Sequence, residues 1–321
     1  MLKVGGLSFR NVFFMLSFTW GNFACADEVN IYSARHYDTD MEMYYEFTRQ
    51  TGIQVNLIEG SGDALIQRLL NEAELSSADL LITVDAGRLW RAQQEDLFQA
   101  IQSDILEKRI PNHLRHPQGL WFGLSKRARV IVHSKNLDFQ PKNYEDLANP
   151  ELRGLVCMRS SSNIYNLSLL ASLIAANSAE VAEKWANALV ANFARKPQGN
   201  DTAQLRAVAS GECGVTIANT YYLGRFLASG KEVDKEMLAN LEVIFPNQLG
   251  RGAHINISGA GVVRHSPNKD NAIKFLEYLT SDFAQKLFSE GNNEYPIIGE
   301  TSGPIRELGV FKEDKLLSSI L

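Results

Sequence analysis

The sequence predicts an α/β protein built from two successive series of strand, loop and helix. Three observations carry this. Residues 29–32, 55–58 and 79–84 each read as a short strand followed by a loop and a helical pattern, the signature of a parallel sheet covered by helices. The third of these strands is nearly all apolar, as a strand covered on both faces must be. A longer alternating stretch, residues 127–132, then separates the first series from a second one that begins after Pro150. It is long enough to carry the chain from one lobe into another.

In the first series, Thr39-Asp40-Met41-Glu42 has the form of a capping box and opens a helix reaching Gly52. Gly60-Ser61-Gly62 turns into the next helix and lacks the third glycine of a dinucleotide fingerprint. In the second series, residues 154–158 form a strand and a polar loop leads into a helix at Ile164. A helix near Val181 to Phe193 follows, and Asp201 caps another. Residues 214–218 form the next strand and residues 241–245 a further one. Residues 255–263 cross back to the first lobe, 268–288 are helical, and a terminal helix follows residue 298.

The first 26 residues have the pattern of an export signal. Lys3 and Arg10 flank the start, residues 12–20 form a short apolar core, and Ala24-Cys25-Ala26 fits cleavage before Asp27. Cys25 as a lipid anchor is the alternative, disfavoured by its lead-in. The apolar run is too short to span a bilayer. The mature protein is therefore expected to be exported and soluble. Its 37 acidic against 32 basic residues, without a basic run bearing aromatics, set nucleic-acid binding aside. Cys157 and Cys213 are left after cleavage. On parallel strands they would fall at opposite ends of the sheet, so two free buried thiols are expected.

The candidate site lies at the strand-to-helix junctions, where open α/β sheets bind ligands. Tyr37 follows the first strand, Tyr165 opens the first helix of the second series, and Tyr221 and Tyr222 follow the strand at 214–218. Any one of these tyrosines is more often a core residue with a hydrogen-bonded hydroxyl. Together, four phenols with few carboxylates suit a hard, highly charged cation such as Fe(III). The Cys and His spacing of a zinc site and the carboxylate-rich loop of a calcium site are missing. His36 could add a nitrogen ligand, though a loop histidine bonded to backbone is an equal reading. Four phenolates on a trivalent ion leave one negative charge, which Arg127, Arg129 or Arg225 could balance. Alternation puts Arg127 and Arg129 on the same face, so spacing does not separate them.

Four motifs then resemble one family. Tyr32-Ser33-Ala34-Arg35-His36-Tyr37, the stretch Leu124-Ser125-Lys126-Arg127-Ala128-Arg129-Val130, Asn219-Thr220-Tyr221-Tyr222 and Glu294-Tyr295-Pro296 are similar to the iron(III)-binding periplasmic proteins of ABC transporters. The resemblance covers the mature chain. It implies a two-lobed Venus-flytrap fold, with 27–125 plus 249–298 as the N-terminal lobe and 126–248 plus 299–321 as the C-terminal lobe. It implies a periplasmic monomer that carries Fe(III) to an inner-membrane permease, not an enzyme. It carries over Tyr37, Tyr165, Tyr221 and Tyr222 as ligands, His36 as a candidate ligand and Arg127 as the charge-balancing neighbour. Tyr165 resembles the extra tyrosine of cyanobacterial members that need no bound anion. The carboxylate of anion-dependent members falls near Asp85 and matches poorly. Two other readings stand beside this: an exported non-haem iron oxygenase with Tyr and His ligands, or the same fold holding a polyamine or oxyanion.

Overall fold

A computed structural model describes Met1 and residues 27–315. The signal-peptide reading of residues 1–26, including Cys25, lies outside the described residues apart from Met1.

The first series is β1 (Glu28–Ser33), α1 (Asp40–Thr51), β2 (Gln54–Glu59), α2 (Gly62–Glu72), β3 (Leu80–Val84), α3 (Ala86–Gln94) and α4 (Asp104–Arg109). The long β4 (Phe122–Ser134) follows. The second series holds β5 (Val156–Cys157), α5 (Ile164–Ala176), α6 (Ala179–Ala191), α7 (Asp201–Ala209), β6 (Val215–Asn219), α8 (Thr220–Ala228), α9 (Glu232–Ala239) and β7 (Leu241–Ile244). The chain returns through β8 (Ile255–Val262), α10 (Lys269–Leu279), α11 (Asp282–Glu290) and β9 (Tyr295–Pro296).

Strand order is β2-β1-β3-β8-β4-β6-β5, with β7 and β9 also on β4. β1 pairs in parallel with β2 and β3, and β5 in parallel with β6. The ladders made by β4 and β8 are antiparallel, so both half-sheets are mixed. Alternation alone does not reveal that, because it reports burial on each face and not the direction of the neighbour. β4 belongs to both halves. Phe122 to Ala128 lie against β8, and Arg129 to His133 lie against β6. A separate core cluster fills the second half, where Ile131, Tyr144, Leu169, Leu173, Leu189 and Ile217 pack together. β4 passes from one half-sheet to the other over the predicted stretch, β8 pairs wholly within the first half-sheet, and two helices split at Ser281 replace the single one expected over 268–288. A five-residue 3-10 turn, Pro304–Leu308, stands where a terminal helix was expected, started by Pro304 and stopped by Gly309 in the left-handed region.

Two capping assignments are corrected. Thr39 caps α1 without a side-chain bond, because its hydroxyl goes to Asn292. Asn200, not Asp201, caps α7, and Asp201 serves the site described below.

The two cysteines form a disulfide, contrary to the expectation of free thiols. The strands are parallel as supposed, but β5 is only two residues long. Its last residue, Cys157, pairs with Thr216 near the start of β6. Cys213, just upstream, is therefore within reach, with Cα atoms 5.8 Å apart. The bridge closes a loop of 56 residues in sequence separation, for which chain-entropy arguments give about 4 kcal/mol. Cys157→Ser should accordingly lower the melting temperature, and a reductant should lower the wild type to the same value. Equal melting with and without the bridge would show that it is dispensable.

Candidate functional site

Three helix starts bring the tyrosines together. Tyr37 lies between β1 and α1. Asn163 caps α5 by accepting from the Tyr165 N–H at 3.0 Å, which sets Tyr165 in the first turn. Asn219 ends β6 and leaves Tyr221 and Tyr222 in the first turn of α8. The N-terminal ends of α5 and α8 thus point positive dipole ends at their phenols. Gly224 lets α8 close on the loop carrying Glu294, since a Cβ there would sit 2.6 Å from the Cβ of Asn293.

The four phenols converge. The Tyr221 hydroxyl donates to that of Tyr165 at 3.3 Å, and the rings of Tyr221 and Tyr222 are 4.2 Å apart. The Arg225 guanidinium lies 5.6 Å from the Tyr37 ring, 5.1 Å from Tyr221 and 5.7 Å from Tyr222. Arg127 and Arg129 are each 5.9 Å from the Tyr165 ring, and Arg159 is 5.3 Å from it. Spacing could not choose among Arg127, Arg129 and Arg225, and all three border the cluster.

Sequence reasoning missed the carboxylates that hold this ring of arginines. Glu294 is fully buried and accepts from Tyr37 at 3.1 Å, Arg35 at 2.9 Å and Arg127 at 3.2 Å, and also from Ser125. Burial alone would raise its pKa, yet Arg35 and Arg127 hold it down to about 2. Asp201, also buried, takes Arg129 and, at 3.0 Å, Arg159. Two arginines on one carboxylate leave an excess of positive charge beside Tyr165. The only signal in the sequence for Glu294 is its place in the Glu294-Tyr295-Pro296 motif. Asp201 is hidden by its resemblance to a helix cap.

Asp85 is placed differently from an anion-site carboxylate. It is buried, and its φ of 101° is costly for a residue with a side chain. It accepts from Ser168 at 3.0 and 3.1 Å, from Asn256 at 2.5 Å and from the Gly87 N–H at 2.9 Å. Burial, only partly offset by Arg127, raises its pKa to about 6. These bonds tie the end of β3 to α5, across the space between the two half-sheets, and leave little of the carboxylate for a ligand. His36 is half exposed, and its Nδ1 lies 3.4 Å from Glu59 at the end of β2. Its ring is engaged there in this conformation.

Phenols are the donors that this cluster offers a metal. Among the described residues no group of three or more His, Cys, Asp and Glu is placed to hold a metal ion. Burial first, then Glu294, raises the Tyr37 pKa far above its ordinary value. Burial, then Tyr165, Tyr222 and Tyr37, does the same for Tyr221. Each of these neutral phenols needs a strong Lewis acid to lose its proton, and arginines stand by to compensate the anion.

Residues 76–305 match the family of bacterial extracellular solute-binding proteins. The chain belongs to that family. Iron uptake protein A1 of Synechocystis is 50% identical over 292 residues, covering 89% of this chain and 81% of that protein. A Trichodesmium IdiA (FutA) structure in complex with iron and citrate is 52% identical, with a TM-score of 0.87 over 91% of this chain and 94% of that one. A ferric binding protein from Campylobacter jejuni is 41% identical, with a TM-score of 0.84 over 91% and 94% of the two chains. The two-lobed periplasmic binding protein fold expected from the sequence is the fold of these relatives. No helix among the described residues is long and apolar enough to cross a membrane.

Proposed function

We propose that this protein is a periplasmic ferric-iron carrier of an ABC transporter, a binding protein and not an enzyme. Tyr37, Tyr165, Tyr221 and Tyr222 hold Fe(III) as phenolates, and Arg127 balances the remaining charge. The observation that carries this is the convergence of four phenols from three separate junctions on one ring of arginines. Residues 27–125 with 249–298 form one lobe and 126–248 with 299–321 the other. Tyr37 comes from the first and the other three from the second, so iron stabilises the closed state. The mature chain starts at Asp27, is a monomer in the periplasm and hands iron to an inner-membrane permease. His36 becomes a fifth ligand if its ring turns from Glu59. The iron-uptake relative at 50% identity and the iron-bearing structure at 52% support the cargo.

The test is the visible spectrum after adding ferric citrate to the protein without iron. A broad phenolate-to-iron charge-transfer band should form and survive desalting. Its pH dependence has a definite sign. The iron-free phenols carry protons and the iron-bound ones do not, so each ligand formed releases one proton. Because Tyr37 and Tyr221 are raised above the ordinary phenol range, they stay protonated throughout pH 5–8. As pH falls, affinity should fall by about tenfold per pH unit for each proton released, without levelling off in that window. A band whose strength is constant down to about pH 4 would overturn phenolate ligation.

A further inference from the structure

A cavity of about 570 Å³ lies between α5 and α6 on the second half of the molecule, with Arg159 standing between it and the phenol cluster. Its walls are apolar, with Leu170, Trp185, Leu189 and Phe193 contributing, and Leu167 and Val190 lie exposed at its rim. That size is ordinary for a small-molecule pocket, which typically holds about 300–1,000 Å³. One side is basic. Arg159 shares the single carboxylate of Asp201 with Arg129. Arg195 is paired with Glu212 at 2.6 Å. Lys196, on the exposed segment after α6, lines the same cavity and has no ion-pair partner among the described residues.

We propose that this cavity is a binding site for a small apolar carboxylate, such as a medium-chain or aromatic acid. The apolar walls take the hydrocarbon, whose transfer from water supplies the affinity. The charges of Lys196 and Arg159, both on the cavity lining, select an anionic head. The protein as a whole carries a formal charge of −5, so a basic rim on an apolar pocket runs against its overall balance. A cationic or neutral amphiphile finds the same walls and no complementary head site. The proposal does not depend on the iron reading, since it needs no metal, but the two sites share Arg159, which also lies 5.3 Å from the Tyr165 ring.

The experiment is calorimetric titration of the iron-free protein with octanoate, octylammonium and octanol, with the fluorescence of Trp185 as a second readout. Octanoate should saturate with a dissociation constant below about 1 mM, and octylammonium should bind at least about tenfold more weakly. Val190→Asp should abolish octanoate binding, and Lys196→Glu should weaken it several-fold. Both positions are exposed, so the variants should fold and keep their melting temperatures. Absence of saturable octanoate binding would overturn the proposal. So would equal binding of octanoate and octylammonium, or octanoate binding that Val190→Asp leaves unchanged.

Discussion

Tyr221→Phe should remove most of the visible iron band and weaken Fe(III) retention by more than about 100-fold, beyond the roughly 10- to 100-fold that loss of a residue bonded to a metal ligand costs. The substitution deletes one oxygen and keeps the ring, so packing against Tyr222 at 4.2 Å persists and the fold should be intact. What disappears is the proposed ligand atom at the centre of the cluster. The Tyr221 hydroxyl bonds that of Tyr165, and its ring sits under Arg225, so its loss also leaves Tyr165 without that partner. Tyr37→Phe should have a comparable effect from the opposite side of the cluster. Tyr45→Phe is the control, since Tyr45 is exposed on α1 and should bind iron as the wild type does. A band in Tyr221→Phe equal to that of the wild type would mean that the tyrosines are core residues and the cargo sits elsewhere.

Why the tyrosines are legible in the sequence, and their supports are not, has a physical basis. A strand-to-helix junction is a local event. It is marked by an apolar run, a cap and a helical period, so near neighbours alone place Tyr37, Tyr165 and Tyr221 at the same end of a strand. The groups that brace the phenols are not local. Glu294 meets Arg35, Arg127 and Tyr37 across separations of 259, 167 and 257 residues, and nothing in its immediate neighbours announces that. Asp201 reads as a cap because a carboxylate at the start of a helix usually is one. Its side chain instead reaches two arginines on other elements. The disulfide escapes for a related reason, because the repeated strand and helix units suggest parallel neighbours and do not give the two-residue length of β5. The two series of strands and helices are legible from their repeated units. The antiparallel ladders of β4 and β8 are not, since a doubly buried strand looks alike beside either neighbour.

Glu294→Gln should destabilise the protein by about 3–5 kcal/mol at pH 7, the cost of stranding a buried charge when its partner is removed. Arg35 and Arg127 are both almost wholly buried, so neither can turn to water for compensation. Proton linkage gives a similar figure. The Glu294 carboxyl is held at about 2 against an ordinary value of 4.5, a difference worth about 3 kcal/mol. The sign follows from the direction. A depressed carboxylate contributes stability that is fully present above the unfolded value and lost as pH falls toward the folded one. The gap between wild type and Glu294→Gln should therefore be full at pH 7, fall to less than half near pH 3 and vanish below about pH 2. Denaturant unfolding of both proteins at pH 7 and pH 3 measures it. A gap independent of pH would assign the loss to packing and not to charge. No gap at all would mean that Asp40 for Arg35, and Ser258 with the Ile257 carbonyl for Arg127, satisfy the two arginines without Glu294. Because the same carboxylate accepts from Tyr37, the variant should also shift the iron band. The network that keeps the arginines folded in place is then also the one that holds the Tyr37 hydroxyl.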